Sequence, residues 1–257
     1  MHIPGFIDRR TIMRGRRLWL HFGVFWLGAV ATGLVAVMYA RLIDFGYDAF
    51  LCYTTSYWWL PLLLTPAVGA FGVWITRRWF AGAEGSGIPQ VIATLHDGRE
   101  LGPRLLTIRI LMGKIAVSFL SILGGFTIGR EGPTIHVGAA LMFSLRRFYP
   151  TRLRSLRGAG LERKLALAGA AAGLSAAFNA PLAGVVFAIE ELTRSFEQRT
   201  SGVLITAIIF AGIVSLGLRG NYTYFGTIDI DGHFPDLLIV AVVMLGAVTG
   251  VAGGAFC

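Results

Sequence analysis

The chain has 257 residues, of which 55% are hydrophobic and only 14% are charged, and its formal net charge is +9. Soluble domains carry about a quarter charged residues, so this composition excludes an ordinary soluble protein and predicts one embedded in a lipid bilayer. The basic residues lie at the ends of apolar runs rather than along one polar face with interleaved aromatics. This placement argues against nucleic acid as a partner.

Long apolar stretches dominate the chain, and six of them approach the roughly 20 residues that a membrane-spanning helix needs. They cover residues 18–40, 57–76, 105–128, 165–189, 200–218 and 237–257. Glycine and proline interrupt many of them, as is typical of broken or half-crossing helices. The sequence therefore predicts an all-α membrane protein, a multi-span bundle with re-entrant or broken helices.

The distribution of arginine and aspartate predicts the orientation. Residues 1–17 carry five arginines, and the apolar run after them is too long for a signal peptide, so we expect a retained helix. Residues 219–236 instead carry three aspartates and one arginine. The positive-inside rule places residues 1–17 in the cytoplasm and residues 219–236 outside. The stretches 86–96 and 131–147 are then re-entrant, starting within the membrane and ending on the cytoplasmic side.

A weak internal repeat joins the first and last spans. Residues 27–33 read Leu-Gly-Ala-Val-Ala-Thr-Gly, and residues 245–250 read Leu-Gly-Ala-Val-Thr-Gly. Small residues are common in membrane helices, so chance and an inverted repeat both explain the match. On the second explanation, residues 18–218 are the first repeat, and residues 237–257 are the first helix of a second repeat.

The motif Gly85-Ser86-Gly87-Ile88-Pro89 predicts an anion site. Its glycines permit a tight backbone approach, and Pro89 suits the first turn of a following helix. Free N–H groups and the helix dipole favour an anion there, so Ser86, Gly87 and Ile88 are candidate anion-binding residues. The alternative is a simple glycine break between two helices.

The motif Gly129-Arg130-Glu131-Gly132-Pro133 repeats this pattern. It is not a nucleotide-binding loop, because Arg130 replaces the lysine and the Glu131 carboxylate would repel phosphate. A carboxylate at a helix start competes with an anion for the same N–H donors, and protonation releases it. Glu131 is therefore a candidate gate. The alternative is a capping carboxylate near water.

A third motif is the stretch 176–191, which reads AAFNAPLAGVVFAIEE. Asn179 is expected to cap, and Pro181 to initiate, a helix that ends in Glu190 and Glu191 near the cytoplasm. The two acids are either functional or merely solvated. The scattered histidines lack a ligand spacing, and Cys52 and Cys257 form no metal motif, so we expect no metal site, no cofactor and no enzymatic activity.

Together the three motifs resemble the CLC family of chloride channels and chloride/proton antiporters, whose patterns are GSGIP, GREGP and FNAPLAGVxFxxEE. The resemblance implies the first half of an inverted-repeat CLC fold, a homodimer in a cell (inner) membrane, and chloride and protons as partners. It implies that Ser86 and the N–H groups of Arg130 and Gly132 bind the anion. Glu131 corresponds to the gating glutamate, and Glu191 to the internal proton-transfer glutamate of the antiporters.

One departure from the family pattern bears on activity. The family's second half supplies a GxFxP motif and a tyrosine that closes the anion site, and neither occurs in these 257 residues. We therefore expect this chain alone not to exchange chloride. The leading expectation for the whole protein is chloride/proton antiport, since channels of the family tend to lack an acid at the position of Glu191. A passive voltage- or pH-gated chloride channel and an inactive half-subunit remain alternatives.

Overall fold

The computed structural model describes residues 9–96, 98–149, 151–193, 198–220 and 237–256. Within these ranges the chain forms α-helices, one 3₁₀ turn and one π-helical turn, and no strand. The all-α prediction is confirmed. The residues 1–8 and most of the predicted external loop 219–236 lie outside the described ranges.

Ten α-helices follow one another in the described ranges. They are α1 (Arg9–Ser56), α2 (Leu60–Trp79), α3 (Ile88–His96), α4 (Gly98–Leu105), α5 (Ile108–Leu123), α6 (Glu131–Ser144), α7 (Thr151–Phe178), α8 (Pro181–Phe187), α9 (Gln198–Arg219) and α10 (Leu237–Phe256). A 3₁₀ turn (Leu145–Phe148) follows α6, and a π-helical turn (Ala188–Thr193) follows α8. Helices α1 to α9 belong to one compact unit, and α10 to a second one.

Two of the predicted apolar stretches, 18–40 and 165–189, do not have the same bounds as the helices that they form. The first helix has 48 residues and continues well past residue 40, because residues 41–56 contain polar side chains but no proline to stop it. The stretch 165–189 is not one helix. Asn179 adopts a left-handed conformation with φ of 55°, and this ends α7 before Pro181 starts α8.

The prediction that Asn179 caps α8 is wrong. The N-cap residue of α8 is Ala180, and it makes no side-chain cap hydrogen bond. The Asn179 side chain instead donates to the carbonyl oxygen of Gly220, with Nδ2 and O 3.4 Å apart. The left-handed turn directs this amide away from the start of α8, which is why a capping residue type does not cap here.

The core lies around α7, which packs against α1, α6, α8 and α9. Several of its alanines are fully or almost fully buried, namely Ala166, Ala168, Ala170, Ala171 and Ala172. Where α6 crosses α7, a Cβ atom on Gly138 or on Gly169 would overlap the backbone carbonyl of the other glycine. Small residues thus let the two helix backbones touch, as is usual between membrane helices.

The exterior of the bundle is apolar. Among the described residues, three helical segments are long and apolar enough to cross a membrane, namely Gly23–Ser56, Leu60–Trp79 and Leu238–Phe256. Large apolar side chains of α2 are exposed, including Leu62, Leu63, Phe71 and Trp74. A lipid bilayer is the solvent in which such a surface is stable, which agrees with a membrane protein.

Candidate anion site at two helix N-termini

The loop before α3 is built from glycines in conformations that other residues rarely adopt. Gly82, Gly85 and Gly87 have φ of 104°, 62° and 97°. The Glu84 carboxylate accepts a hydrogen bond from the Gly82 N–H at 2.7 Å, and its carbonyl accepts one from the Gln90 amide at 2.7 Å. These bonds hold the loop so that Ser86 is exposed at its surface.

Ser86 and its neighbours occupy different sides of this loop. The Ser86 hydroxyl accepts a long hydrogen bond of 3.4 Å from the Ile88 N–H, so its own hydrogen is directed elsewhere and can be donated to an anion. Gly87 is buried against His136, whose ring leaves no room for a Cβ atom on this glycine. The His136 Nε2 atom is 3.0 Å from the Leu105 carbonyl oxygen, which fixes the ring.

The second motif forms the start of α6. Arg130 is the N-cap residue, and its carbonyl oxygen accepts hydrogen bonds from the Thr134 N–H at 3.1 Å and from the Thr134 hydroxyl at 2.6 Å. Glu131 is the first residue of the helix and is partly buried. Its carboxylate lies across Gly129, because Oε2 would be only 2.8 Å from a Cβ atom there.

The two motifs meet in space. A Cβ atom on Gly132 would lie 2.8 Å from the Ser86 Cβ and 3.0 Å from the Ser86 carbonyl oxygen. A cavity of about 630 Å³ runs beside this contact. It is lined by Gly85, Ser86, Gly129, Gly132 and Pro133 from the motifs, together with residues of α2 and α5 such as Thr76, Lys114, Ser118 and Ser121.

The cavity does not gather every residue that the sequence singled out. Ser86 and Gly132 line it, whereas Gly87, Ile88, Arg130 and Glu131 do not. The Glu131 carboxylate nevertheless lies beside Gly129, which does line the cavity. Glu191 is exposed in the π-helical turn, and this turn packs against α3 and α7.

Lys114 is the main residue of this site that motif reading missed. It is only 3% exposed, and its Nζ donates to the carbonyl oxygens of Ala83 at 2.7 Å, Glu84 at 3.2 Å and Gly85 at 2.8 Å. Three carbonyls directed at one ammonium fix the loop before Ser86. A lone lysine inside the apolar run 105–128 was the available sequence signal, since intramembrane charges are functional by default.

Asp44 is the second residue that motif reading missed. Its carboxylate lies 3.2 Å from the Arg130 guanidinium and 2.8 Å from that of Arg219, which is the last residue of α9. One turn earlier, the Arg41 side chain donates to the Leu218 carbonyl oxygen at 2.9 Å. The last third of α1 thus joins the start of α6 to the end of α9.

Comparison with known proteins identifies the family to which this architecture belongs. Residues 68–257 match the family model of the voltage gated chloride channel. The chain belongs to this family. The CLC resemblance drawn from the three motifs is therefore confirmed, and it extends to the last apolar helix.

Two curated bacterial CLC proteins, both named H(+)/Cl(-) exchange transporter ClcA, are each 32% identical to the chain. The protein from Citrobacter koseri aligns over 212 residues and that from Salmonella arizonae over 217 residues. Each alignment covers 74% of this chain and 42% of the relative. The chain thus spans less than half the length of the curated relatives it matches.

Solved CLC structures share the fold. A slow cyanobacterial Cl⁻/H⁺ antiporter superposes with a TM-score of 0.70 at 24% identity, covering 92% of this chain and 55% of the other. A eukaryotic CLC transporter gives 0.71 at 22% identity, covering 93% and 43%. A CLC-type fluoride/proton antiporter gives 0.69 at 19% identity, covering 93% and 56%. These similarities show that the helices are arranged as in CLC proteins.

Proposed function

We propose that this chain carries the anion path of a chloride/proton antiporter, with Glu131 as the gate and Glu191 as the internal proton-transfer residue. The observation that carries the proposal is the meeting of two helix N-termini beside one cavity. Ser86, just before α3, and Gly132, in the first turn of α6, are in contact. Each helix start carries partial positive charge, which suits an anion.

Lys114 adds a full positive charge to this cavity. It lines the cavity while its ammonium is held by the carbonyls of Ala83, Glu84 and Gly85. An anion beside Ser86 is attracted by this charge through a medium of lower dielectric constant than water. The Ser86 hydroxyl supplies a neutral donor that is not tied to a particular ligand shape, which suits a spherical ion.

Glu131 has the position that a gate requires. It is the first residue of α6, next to the N–H groups that an anion at Gly132 would use. The ionised carboxylate competes with the anion for these donors. The protonated acid is neutral and no longer competes. Because the same carboxylate takes up the proton and competes with the anion, proton uptake and anion passage are coupled.

Glu191 lies apart from the anion donors, in the π-helical turn that packs against α3. Its exposure gives it access to protons from solvent. We assign it the transfer of protons between the cytoplasm and Glu131. The assignment draws on the exchange activity in the names of the ClcA relatives. In the same proposal the protein is a homodimer in the cell inner membrane, with a cytoplasmic N-terminus.

The test is paired recording with chloride and pH electrodes on liposomes that contain the full-length protein. The wild type is expected to move protons uphill when a chloride gradient is imposed. Glu131→Gln is expected to pass chloride without moving protons, and to lose the pH dependence of chloride transport. Glu191→Gln is expected to lose proton movement while retaining chloride flux. Glu190→Gln is the matched control, because Glu190 is also an exposed acid in the same turn.

The outcomes separate the alternatives. Chloride flux without proton movement in the wild type would make the protein a passive channel. Absence of any flux in a protein shown to be folded would make it a non-transporting subunit. Uphill proton movement that persists in Glu191→Gln at the wild-type ratio would remove the role of that residue. A fluoride electrode on the same vesicles distinguishes chloride from fluoride as the preferred anion.

A further inference from the structure

A second cavity, of about 380 Å³, lies apart from the anion path. It is formed by the end of α2, the end of α4 and the start of α5. Its lining residues are Arg78, Trp79, Ala81, Arg104, Thr107, Arg109 and Ile110. This volume falls at the lower end of the roughly 300–1,000 Å³ range of small-ligand pockets. The neighbouring residue Arg77 lines the anion cavity instead, so the two cavities are lined by different arginines.

The charge of this cavity is strongly one-sided. Among the residues that the structure describes, three guanidinium groups and no carboxylate line it. None of the three forms an ion pair within the described part of the chain. The exposed acid Glu100, one turn before Arg104 on α4, forms no ion pair within the described residues. Three like charges around one concavity repel each other, and an anion between them removes that repulsion.

Helix dipoles account for two of the arginines but not for the third. Arg78 and Arg104 lie in the last turns of α2 and α4, where a cation is favourable. Arg109 is the second residue of α5, two positions after the N-cap Thr107, whose side chain accepts from the Ile110 N–H at 3.2 Å. A cation is unfavourable at a helix start, and an anion bound in the cavity would offset this cost for Arg109.

The cavity lies at the depth where a membrane span ends. Helix α2 runs from Leu60 to Trp79, and both Trp79 and the preceding arginine line the cavity. The Trp74 and Trp79 rings pack edge to face with their centroids 5.4 Å apart. Tryptophan at the end of a span marks the level of the lipid headgroups. Phospholipid headgroups therefore lie at the level of this cavity.

We propose that this basic cavity binds the phosphate group of an anionic phospholipid, with Arg78, Arg104 and Arg109 as its ligands. Planar guanidiniums bind phosphate oxygens through paired hydrogen bonds, which lysine does not reproduce. Basic pockets between membrane helices are suited to such headgroups. The indole of Trp79 then lies beside the glycerol region, where its amphipathic ring is stable.

The test measures lipid retention by native mass spectrometry of the full-length protein released from detergent micelles. The probes are phosphatidylglycerol and, at equal acyl composition, zwitterionic phosphatidylcholine. The variant replaces all three arginines with glutamine: Arg78→Gln, Arg104→Gln and Arg109→Gln. The control removes three exposed cations elsewhere: Arg147→Gln, Arg163→Gln and Lys164→Gln. We expect phosphatidylglycerol retention to fall about tenfold or more in the cavity variant, and less than about twofold in the control.

Three results would overturn the proposal: equal losses in the two variants, equal retention of the two lipids by the wild type, or phosphatidylglycerol fully displaced by millimolar inorganic phosphate. The last would assign the cavity to a free phosphate instead. If the triple variant does not fold, the single variants Arg109→Gln and Arg109→Lys take its place. Because lysine keeps the charge but not the paired hydrogen bonds, Arg109→Lys is expected to retain more lipid than Arg109→Gln and less than the wild type.

Discussion

The Lys114 ammonium donates a hydrogen bond to the carbonyl oxygen of Gly85 at 2.8 Å, across 29 positions of the sequence. Gly85 immediately precedes Ser86, so a charge in α5 fixes the backbone that presents the candidate anion ligand. This contact joins a membrane-buried cation to the loop before α3. It makes the position of the Ser86 hydroxyl depend on a residue outside the motif.

The first prediction is that Lys114→Met weakens both folding and chloride binding. The change removes this donor from the carbonyls of Ala83, Glu84 and Gly85, of which that of Ala83 is on a buried residue. An unsatisfied buried acceptor costs about 1–3 kcal/mol. We expect the free energy of unfolding to fall by roughly 2–4 kcal/mol, and chloride affinity, measured by calorimetry, to fall as well. Lys164→Met is the control, since Lys164 is exposed on α7. Equal affinity in the wild type and Lys114→Met would contradict the prediction.

The second prediction concerns Ser86→Ala in the full-length protein. Loss of one neutral donor should reduce chloride affinity by about 0.5–1.5 kcal/mol, which is roughly two- to twelvefold. Calorimetric titration with chloride and with nitrate measures the affinity and the selectivity. Ser144→Ala is the control, because Ser144 donates to the Ala140 carbonyl within α6 at 2.7 Å and lies outside the cavity lining. Unchanged affinity and selectivity would remove Ser86 from the site.

The third prediction is that Gly132→Ala separates the two helix starts. The added methyl group would lie 3.0 Å from the Ser86 backbone oxygen, so the loop must move away from α6. We expect a loss of about 1–3 kcal/mol in stability together with weaker chloride binding. Gly160→Ala is the control, because a Cβ atom there meets nothing within 4 Å, and this change should be neutral or stabilising. A chloride affinity in Gly132→Ala equal to that of the wild type would show that the contact between Gly132 and Ser86 is not needed for binding.

The fourth prediction is that Asp44→Asn changes electrostatics more than stability. The Asp44 side chain is 49% exposed, so its pairs with Arg130 and Arg219 should contribute only about 0–1 kcal/mol to folding. Removing its charge leaves the start of α6 more positive. We therefore expect about a twofold gain in chloride affinity at low ionic strength, which disappears near 1 M of an inert salt. Asp48→Asn, at an exposed acid one turn further along α1, is the control.

A lower affinity in Asp44→Asn at low ionic strength would contradict this electrostatic explanation. It would show that Asp44 acts by holding Arg130 in place rather than through its charge. The conservative variant Asp44→Glu then distinguishes the two roles, since it keeps the charge and changes the reach of the carboxylate.

The sequence by itself determined the helical class, the membrane environment and the places where two helices start. These features are local. Apolar runs define the helices, and the Pro-Gly pattern around Ser86 and Glu131 defines the breaks, because proline and glycine restrict or release the backbone at their own positions. The structure bears this out, with Pro89, Pro133 and Pro181 all in the first turns of α3, α6 and α8.

Only the tertiary structure decided which side chains meet. Lys114 reaches back 31 positions to Ala83, and Asp44 pairs with Arg130 and Arg219 across 86 and 175 positions. Asn179, a residue type that suits capping, binds the Gly220 carbonyl 41 positions away instead. Hydropathy and motif spacing carry no information on such pairs, because long-range contacts depend on how helices pack. Close packing at Gly138 and Gly169, where α6 meets α7, is a further contact of this long-range kind.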